Sequence, residues 1–300
     1  MTVKVLVADK IFDEGITLLE QEGCEVTRAW TTPKAELPSI IGDYDVLIVR
    51  SATKVTVDLL AKARRLKVIG RAGEGLDNID LRQAEKQGIA VVNAAHVASV
   101  SVAELAIGHL LAMARHIVDG AVSLRMGRWE KEALMGTEVR GKALGVVGCG
   151  SIGQEVEALA TALGMKVLGV DVCVGRGFLP LEKMLPKADF ITIHVPLTPH
   201  TQHMISTREF AQMKDGVCLI DCSRGGVVDP EALYEALVSG KVKAAALDVF
   251  EQEPPKDSKL LQLPNVYATP HLGAQTYEAQ RRTSVETAKS VIAALQKPKS

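Results

Sequence analysis

Aromatic residues are scarce in this 300-residue chain: two Trp, four Tyr and five Phe make up 4% of it, against 47% hydrophobic residues in all. Its interior must therefore be built from aliphatic side chains. Net charge is also nearly absent. Thirty-five Lys and Arg against 36 Asp and Glu leave −1 at pH 7, which argues against general electrostatic attraction to nucleic acid or an anionic membrane. No nucleic-acid or membrane partner is expected. Cysteine is sparse and unsuited to a disulfide frame: Cys24, Cys149, Cys173, Cys218 and Cys222 are odd in number, dispersed and mostly set in apolar runs. They read as reduced, packed thiols of a cytoplasmic protein. The Cys and His spacings offer no convincing zinc set, so no metal is expected. The opening MTVKVLVADK lacks the longer apolar region of a signal peptide, and no uninterrupted run of about 18 apolar residues is available to span a membrane.

What is present is a glycine turn in a specific setting. Leu144 to Asp171 reads as an apolar strand, a turn, an amphipathic helix and a second apolar strand ending in a carboxylate. Gly148, Gly150 and Gly153 give G-x-G-x-x-G where the strand Ala143 to Gly148 hands over to the helix, the context in which the pattern signifies dinucleotide binding. Gly148 allows a sharp turn, Gly150 lets backbone approach a pyrophosphate, and Gly153 lets the helix pack on the strand. The helix N-terminus then offers free N–H groups and the positive end of its dipole. Asp171, 23 positions after Gly148, is near the spacing of roughly 20 for an acid on the adenosine ribose hydroxyls, which favours NAD over NADP. Arg176 weighs the other way if its loop folds back onto a phosphate.

The length suits two domains of ordinary size. Residues 1 to about 93 alternate short apolar strands (Val3 to Ala8, Glu25 to Ala29, Val46 to Val49, Val68 to Arg71, Ala90 to Val92) with helical stretches such as Glu14 to Glu22, a rhythm that predicts a parallel sheet. Arg50 and Ser51, and Arg71 to Gly75, follow two of these strands, where such sheets present ligand-binding loops. A long helix is expected from Ser99 to about His116, with Ser99 or Ser101 as its cap, Ser101 and Glu104 having capping-box spacing. Its small residues Ala103, Ala106 and Gly108 suit either an internal core helix or close packing against another chain or domain.

Beyond Asp171, strands are expected at Phe190 to His194, Val217 to Ile220, Ala244 to Val249 and Val266 to Ala268. A helix capped by Asp229 with Pro230 at its first position follows the second of them. A last helix covers about Thr276 to Leu295. Arg224, Glu253 and His271 thus lie just past three parallel strands of the dinucleotide-binding sheet. Oxidising a secondary alcohol with NAD needs a base for the hydroxyl proton, and imidazole has a suitable intrinsic pKa. A carboxylate beside it would orient the ring, and an arginine would bind a substrate carboxylate through two parallel hydrogen bonds.

The chain resembles the D-isomer-specific 2-hydroxyacid dehydrogenases, and among them the catalytic core of the phosphoglycerate dehydrogenase branch. The resemblance rests on RSATKVT (Arg50 to Thr56), GRAGEGLDNID (Gly70 to Asp80), GRWEKEALMGTEVRGKALGVVGCGSIG (Gly127 to Gly153), CSRGGVVD (Cys222 to Asp229), ALDVFEQEPP (Ala246 to Pro255) and PHLGAQT (Pro270 to Thr276). It implies an α/β fold of two doubly wound parallel-sheet domains with the cleft between them. A flavodoxin-like substrate domain would comprise residues 1–95 and 275–300, and a Rossmann NAD-binding domain residues 96–274. It implies that His271 is the acid/base, Glu253 its partner and Arg224 the carboxylate anchor. NAD contacts are implied at Gly148, Gly150, Ser151, Ile152, Gly153, Asp171, Val195, Cys222, Ser223, Arg224, Asp248, His271 and Gly273. Substrate contacts are implied at Arg50, Ser51, Arg71 and Gly73, besides Arg224 and His271.

The expected activity is NAD-dependent oxidation of D-3-phosphoglycerate to 3-phosphohydroxypyruvate, the first step of serine biosynthesis. The alternatives are a glyoxylate or hydroxypyruvate reductase and a non-catalytic NAD-binding protein of the corepressor type. The expected partners are a small anionic 2-hydroxy acid and a second copy of the chain, paired through the cofactor domain. Phosphoglycerate dehydrogenases often add C-terminal domains that bind serine, and no serine feedback can be read from these 300 residues. Several positions depart from the family pattern. Asn93-Ala94-Ala95-His96-Val97-Ala98-Ser99 lacks the usual proline and second asparagine, Glu74 stands where a small or neutral residue is usual, and Ser151 replaces an arginine. A basic cluster after Trp129 is reduced to Lys131, with Glu132 and Ala133 following, and the link from Asp171 to Leu179 is short.

Overall fold

A computed structural model describes residues 2–172 and 177–296. Cys173 and Arg176 lie outside the described residues. The chain forms two compact units, Met1–Ala98 with Gln275–Ser300, and Ser99–Ala274.

The first unit runs β1 (Lys4–Val7), α1 (Asp13–Gln21), β2 (Glu25–Arg28), α2 (Leu37–Ile40), β3 (Val46–Val49), α3 (Val57–Lys62), β4 (Val68–Arg71), α4 (Leu81–Lys86) and β5 (Ala90–Asn93). Its sheet is all parallel in the order β2-β1-β3-β4-β5, a flavodoxin-like order. Side chains alternate between its faces with the strand period of two. Leu6, Leu47 and Ile69 enter one apolar cluster, while Val5, Val7, Ile48 and Val68 enter the other. Burying each such side chain contributes about 1.5–3 kcal/mol. The last helix, Tyr277–Gln296, packs on α1, β4 and β5. A Cβ at Gly70 would lie 2.7 Å from Val291 Cγ2, so this glycine admits the returning helix.

Asp9, just past β1, is 6% exposed and holds the loop after β3. Its carboxylate accepts the Arg50 N–H at 2.6 Å, the Thr53 N–H at 3.1 Å, the Thr53 hydroxyl at 2.7 Å and Lys34 Nζ at 2.7 Å. Burial pulls its pKa up, but these donors and the Lys34 charge outweigh burial and hold it below the ordinary value.

The second unit runs α5 (Ser99–Arg115), α6 (Ile117–Arg125), β6 (Ala143–Val147), α7 (Ser151–Ala162), β7 (Lys166–Val170), α8 (Leu181–Met184), β8 (Phe190–Ile193), α9 (Thr207–Gln212), β9 (Val217–Asp221), α10 (Pro230–Val238), β10 (Val242–Leu247) and β11 (Val266–Ala268). Its parallel sheet has the order β11-β10-β9-β8-β6-β7. The direction of winding reverses between β6 and β8, so the glycine turn after β6 stands at the switch point where doubly wound sheets bind ligands. Aliphatic clusters cover both faces. Phe190, Phe210 and Tyr267 are the aromatic side chains buried among the described residues. Asp229 caps α10 by accepting the Glu231 and Ala232 N–H groups, with Pro230 first in the helix.

Two expectations are corrected, the cap of the long helix and the bounds of one strand. The long helix begins at Ser99 itself, so Ser101 lies in its first turn and does not cap it. It ends at Arg115, beside the expected end at about His116, which adopts φ +52°; a second helix that the sequence did not predict, α6, sets off at 63° to it. The strand expected at Ala244 to Val249 runs Val242–Leu247, with a register irregularity between Val242 and Ala244. Among the described residues no single helix is long and apolar enough to cross a membrane.

Because the native pKa of Asp9 lies below its ordinary 3.8, the stability it contributes is present above that ordinary value and is lost as pH falls through the native one. Asp9→Asn is therefore expected to lower the thermal midpoint at about pH 7, with a gap to the parent protein that narrows as pH falls below the ordinary value. A gap that stays constant over this range would contradict the assignment.

Candidate active site

β9, β10 and β11 lie side by side and end at one edge of the second sheet. Asp221, the last residue of β9, turns the following loop: its Oδ1 accepts the Ser223 N–H at 2.9 Å and hydroxyl at 2.6 Å. Burial raises the Asp221 pKa to about 6, against the hydrogen bonds from Ser223. A Cβ at Gly225 would stand 2.0 Å from the Phe250 carbonyl, so only glycine lets the loop carrying Arg224 lie against the loop carrying Glu253.

Past β11 the chain turns sharply, and His271 takes φ +54°, a left-handed conformation in which histidine is tolerated better than bulkier residues. The buried Asp248 holds that turn. Its Oδ1 accepts the Thr269 hydroxyl at 2.6 Å and the Leu272 N–H at 2.7 Å, and its Oδ2 accepts the Gly273 N–H at 2.8 Å.

His271 Nδ1 then lies 2.8 Å from Glu253 Oε2 and 3.0 Å from Oε1. The Phe250 N–H donates to Glu253 Oε1 at 3.2 Å. Burial raises the Glu253 pKa, but the His271 hydrogen bond and charge, the Phe250 N–H and the Arg224 charge together hold it below the ordinary value. An ionised carboxylate only accepts, so Nδ1 carries the ring proton and Nε2 is left to exchange one. Both side chains are open to solvent, 45% and 39% exposed. Arg224 Nη1 donates to the Ser223 carbonyl at 2.7 Å.

The glycine turn fits a pyrophosphate. Gly148 has φ +91°, and a Cβ there would lie 2.6 Å from the His194 carbonyl oxygen; one at Gly153 would lie 2.1 Å from the Gly148 carbonyl oxygen. Around Gly150 there is open space, and Ser151 and Ile152 begin α7 with no side-chain cap from Gly150. Asp171 Oδ2 accepts the Cys149 N–H at 2.7 Å, so the carboxylate at the end of β7 also braces the turn. Val195 lies against Gly148. Cys222 and Ser223 are buried.

In the first unit, Arg50 Nη2 reaches Gln275 Oε1 at 3.3 Å and Nη1 the Lys10 carbonyl at 3.4 Å, while Ser51 is exposed. The Arg71 guanidinium lies over Gly73, where any Cβ would overlap it. Glu74 Oε1 stands 3.7 Å from His96 Nδ1, so two departures from the family pattern face each other.

Residues 107–273 match the family described as D-isomer specific 2-hydroxyacid dehydrogenase, NAD binding domain. The chain is 50% identical over 297 residues to a hydroxypyruvate reductase of Thermotoga maritima, covering 96% of this chain and 97% of that protein. It is 48% identical over 298 residues to a D-3-phosphoglycerate dehydrogenase of Methanocaldococcus jannaschii, covering 96% of this chain but 57% of that longer protein. The crystal structure of the TT0316 protein from Thermus thermophilus superposes with a TM-score of 0.90 at 35% identity, over 98% of this chain and 97% of that one. The chain belongs to the D-isomer-specific 2-hydroxyacid dehydrogenase family. Its cofactor is NAD.

Sequence reading named Asp248 only as a cofactor contact and passed over Asp221, His194 and His109. The bonds of Asp221 and Asp248 to their loops join residues that only folding brings into reach. His194, at the end of β8, hydrogen-bonds Thr192 Oγ1 through Nε2 at 2.8 Å, and burial pushes its pKa down to about 4. His109 meets Thr269 at 3.1 Å; its signal was a lone histidine on an otherwise apolar helix face.

Glu253→Gln keeps an acceptor near Nδ1 but removes the charge that stabilises imidazolium. It is expected to lower kcat about 10- to 100-fold with little change in NADH affinity, checked by steady-state kinetics and fluorescence titration. Unchanged kcat would remove Glu253 from the acid–base pair.

Proposed function

We propose that the chain interconverts a small D-2-hydroxy acid and its 2-keto acid, with NAD as hydride carrier. The observation that carries this reading is the Glu253–His271 hydrogen bond beside Arg224, on the loops that follow three adjacent strands of the NAD-binding sheet. NAD, when bound, takes the hydride from the carbinol carbon or returns it to the keto carbon. The glycine turn and the α7 N-terminus would hold its pyrophosphate, and Asp171 its adenosine ribose. Val195, Cys222, Ser223, Asp248 and Gly273 belong to the same proposed contact set. His271 Nε2 takes the hydroxyl proton during oxidation and gives it back to the keto oxygen during reduction. Glu253 keeps the ring in that tautomer and offsets the positive charge. Arg224 grips the carboxylate through two hydrogen bonds and so fixes which carbon reacts. Arg50, Ser51, Arg71 and Gly73 of the first unit are carried as substrate contacts in the same proposal.

Two substrates remain in view. Glu74 favours an unphosphorylated acid such as hydroxypyruvate. Its carboxylate follows directly on the Arg71–Gly73 contact and is 40% exposed, so it opposes a dianionic phosphate. The reduction of the basic segment after Trp129 acts in the same sense. The phosphoglycerate reading is supported by the two arginines, Arg50 and Arg71, at the ends of neighbouring strands β3 and β4, and would place the reaction at the entry to serine biosynthesis. NADH consumption with hydroxypyruvate, glyoxylate and phosphohydroxypyruvate side by side, with His271→Ala as control, tests both. Highest kcat/KM for hydroxypyruvate, abolished in the control, is the expected result. Preference for the phosphorylated acid would reinstate phosphoglycerate, and binding of NADH without turnover would favour the corepressor-type role.

A homodimer through the cofactor unit belongs to the same reading. Ile117, Val118, Leu124, Met126 and Trp129 expose apolar surface along α6 and the segment after it, a patch of the kind that marks an interaction site. Tyr267 ties α6 down by donating to Asp119. Sedimentation is expected to give a dimer for the parent protein and a monomer for Val118→Asp with Leu124→Asp; a monomeric parent would end the dimer proposal. A cytoplasmic setting is supported by the described cysteines, all of them free thiols.

A further inference from the structure

Helix α5 carries a histidine for which the proposed chemistry has no use. His109 is 7% exposed, in an apolar layer with Ala106, Leu110 and Met113. Its Nε2 lies 3.1 Å from Thr269 Oγ1, and the Thr269 hydroxyl donates to Asp248 Oδ1 at 2.6 Å. A threonine hydroxyl has one hydrogen. Once that hydrogen is given to the carboxylate, the oxygen can only accept, so the proton on this side of the ring must sit on His109 Nε2. Burial lowers the His109 pKa, with the Asp248 charge acting against it, in keeping with a neutral ring that donates through Nε2.

The recipient of this chain of hydrogen bonds is the turn of His271. Thr269 precedes the turn, and its carbonyl accepts the His271 N–H at 3.0 Å. Asp248, the next link, holds the Leu272 and Gly273 N–H groups. Helix α5 also meets the far side of the turn, where Val102 Cγ2 would lie 3.3 Å from a Cβ on Gly273. Val102 and His109 are seven residues apart, two turns along one face of the helix. The helix therefore braces the residues on both sides of a backbone conformation that histidine adopts at a cost.

We infer that His109 is a positioning residue: through Thr269 and Asp248 it holds His271 in the left-handed turn that presents Nε2 for proton transfer and Nδ1 to Glu253. The inference rests on His271 being the acid–base group of the proposed reaction, so its test includes a readout independent of turnover. That readout is the low-field NMR resonance of the His271 Nδ1 proton shared with Glu253, assigned by its disappearance in His271→Gln. It is measured in the parent protein, His109→Leu, His109→Gln and Thr269→Val, alongside thermal midpoints and NADH fluorescence titrations.

His109→Leu and Thr269→Val are each expected to lose or broaden the resonance and to lower kcat about tenfold, with NADH affinity within about twofold of the parent, as for a misplaced reacting group. His109→Gln, whose side-chain amide can donate to the same oxygen, is expected to recover the resonance and most of the kcat. The double variant is expected to be no worse than either single one, because both cut the same chain. An unchanged resonance in His109→Leu overturns the inference. So does equal damage in the Leu and Gln variants, which would make His109 a packing residue only. If the parent shows the resonance but reduces no 2-keto acid, the proposed function fails, and the resonance in the variants still decides whether His109 positions His271.

Discussion

Carboxylates at the ends of parallel strands, accepting N–H groups from neighbouring loops, are the constraint on which the rest of this structure depends. Asp9 after β1 holds the loop after β3; Asp171 after β7 holds the glycine turn; Asp221 at the end of β9 holds its own loop; and Asp248 after β10 holds the turn after β11. A parallel sheet brings such positions together because all its strands end at the same edge. The carboxylates supply what loops lack, namely acceptors for backbone donors outside the ladder. A buried donor left unsatisfied costs about 1–3 kcal/mol, so each anchor opposes alternative loop conformations. The strand ends are thereby made rigid enough to hold chemistry.

Asp248 shows how far this reaches. Its two oxygens hold Thr269, Leu272 and Gly273, and His271, which with Pro270 lies between the first two of these, takes a positive φ. The imidazole direction is then set by the sheet, since Glu253 need only meet Nδ1 where the turn has put it. Gly225 serves the same end by letting two neighbouring loops touch without an intervening side chain.

Much of this was legible in the sequence, for physical reasons. The three glycines mark positions where a side chain would collide with a carbonyl or crowd a phosphate, and Gly148 and Gly153 do press against backbone. The alternation of apolar strands and helices told that Arg224, Glu253 and His271 follow strands, although not that β9, β10 and β11 are adjacent. Helix α6 was not legible: neither glycine nor proline marks the break at His116, and the apolar pattern continues across it. The start of β10 was missed because the exposed, charged Lys243 interrupts its apolar run, at the point where the pairing register is also irregular. The bonds of Asp9 and Asp248 span 41 and 24 residues, and no local pattern encodes such partners. The pairing of Glu74 with His96 was hidden in the same way, although Glu74 and the segment from Asn93 to Ser99 had each stood out as departures.

One feature of the glycine turn reaches beyond binding. Cys149 sits between Gly148 and Gly150, where a reactive thiol would make the glycine turn a target for oxidants and alkylating agents. The side chain instead points inward, its Sγ 3.7 Å from the Val146 and Val170 carbonyls. Burial and the nearby Asp171 charge raise its pKa to about 11. Since the thiolate is the reactive form, the sulfur at the centre of the turn is held as the unreactive thiol, and oxidants and alkylating agents find no nucleophile there.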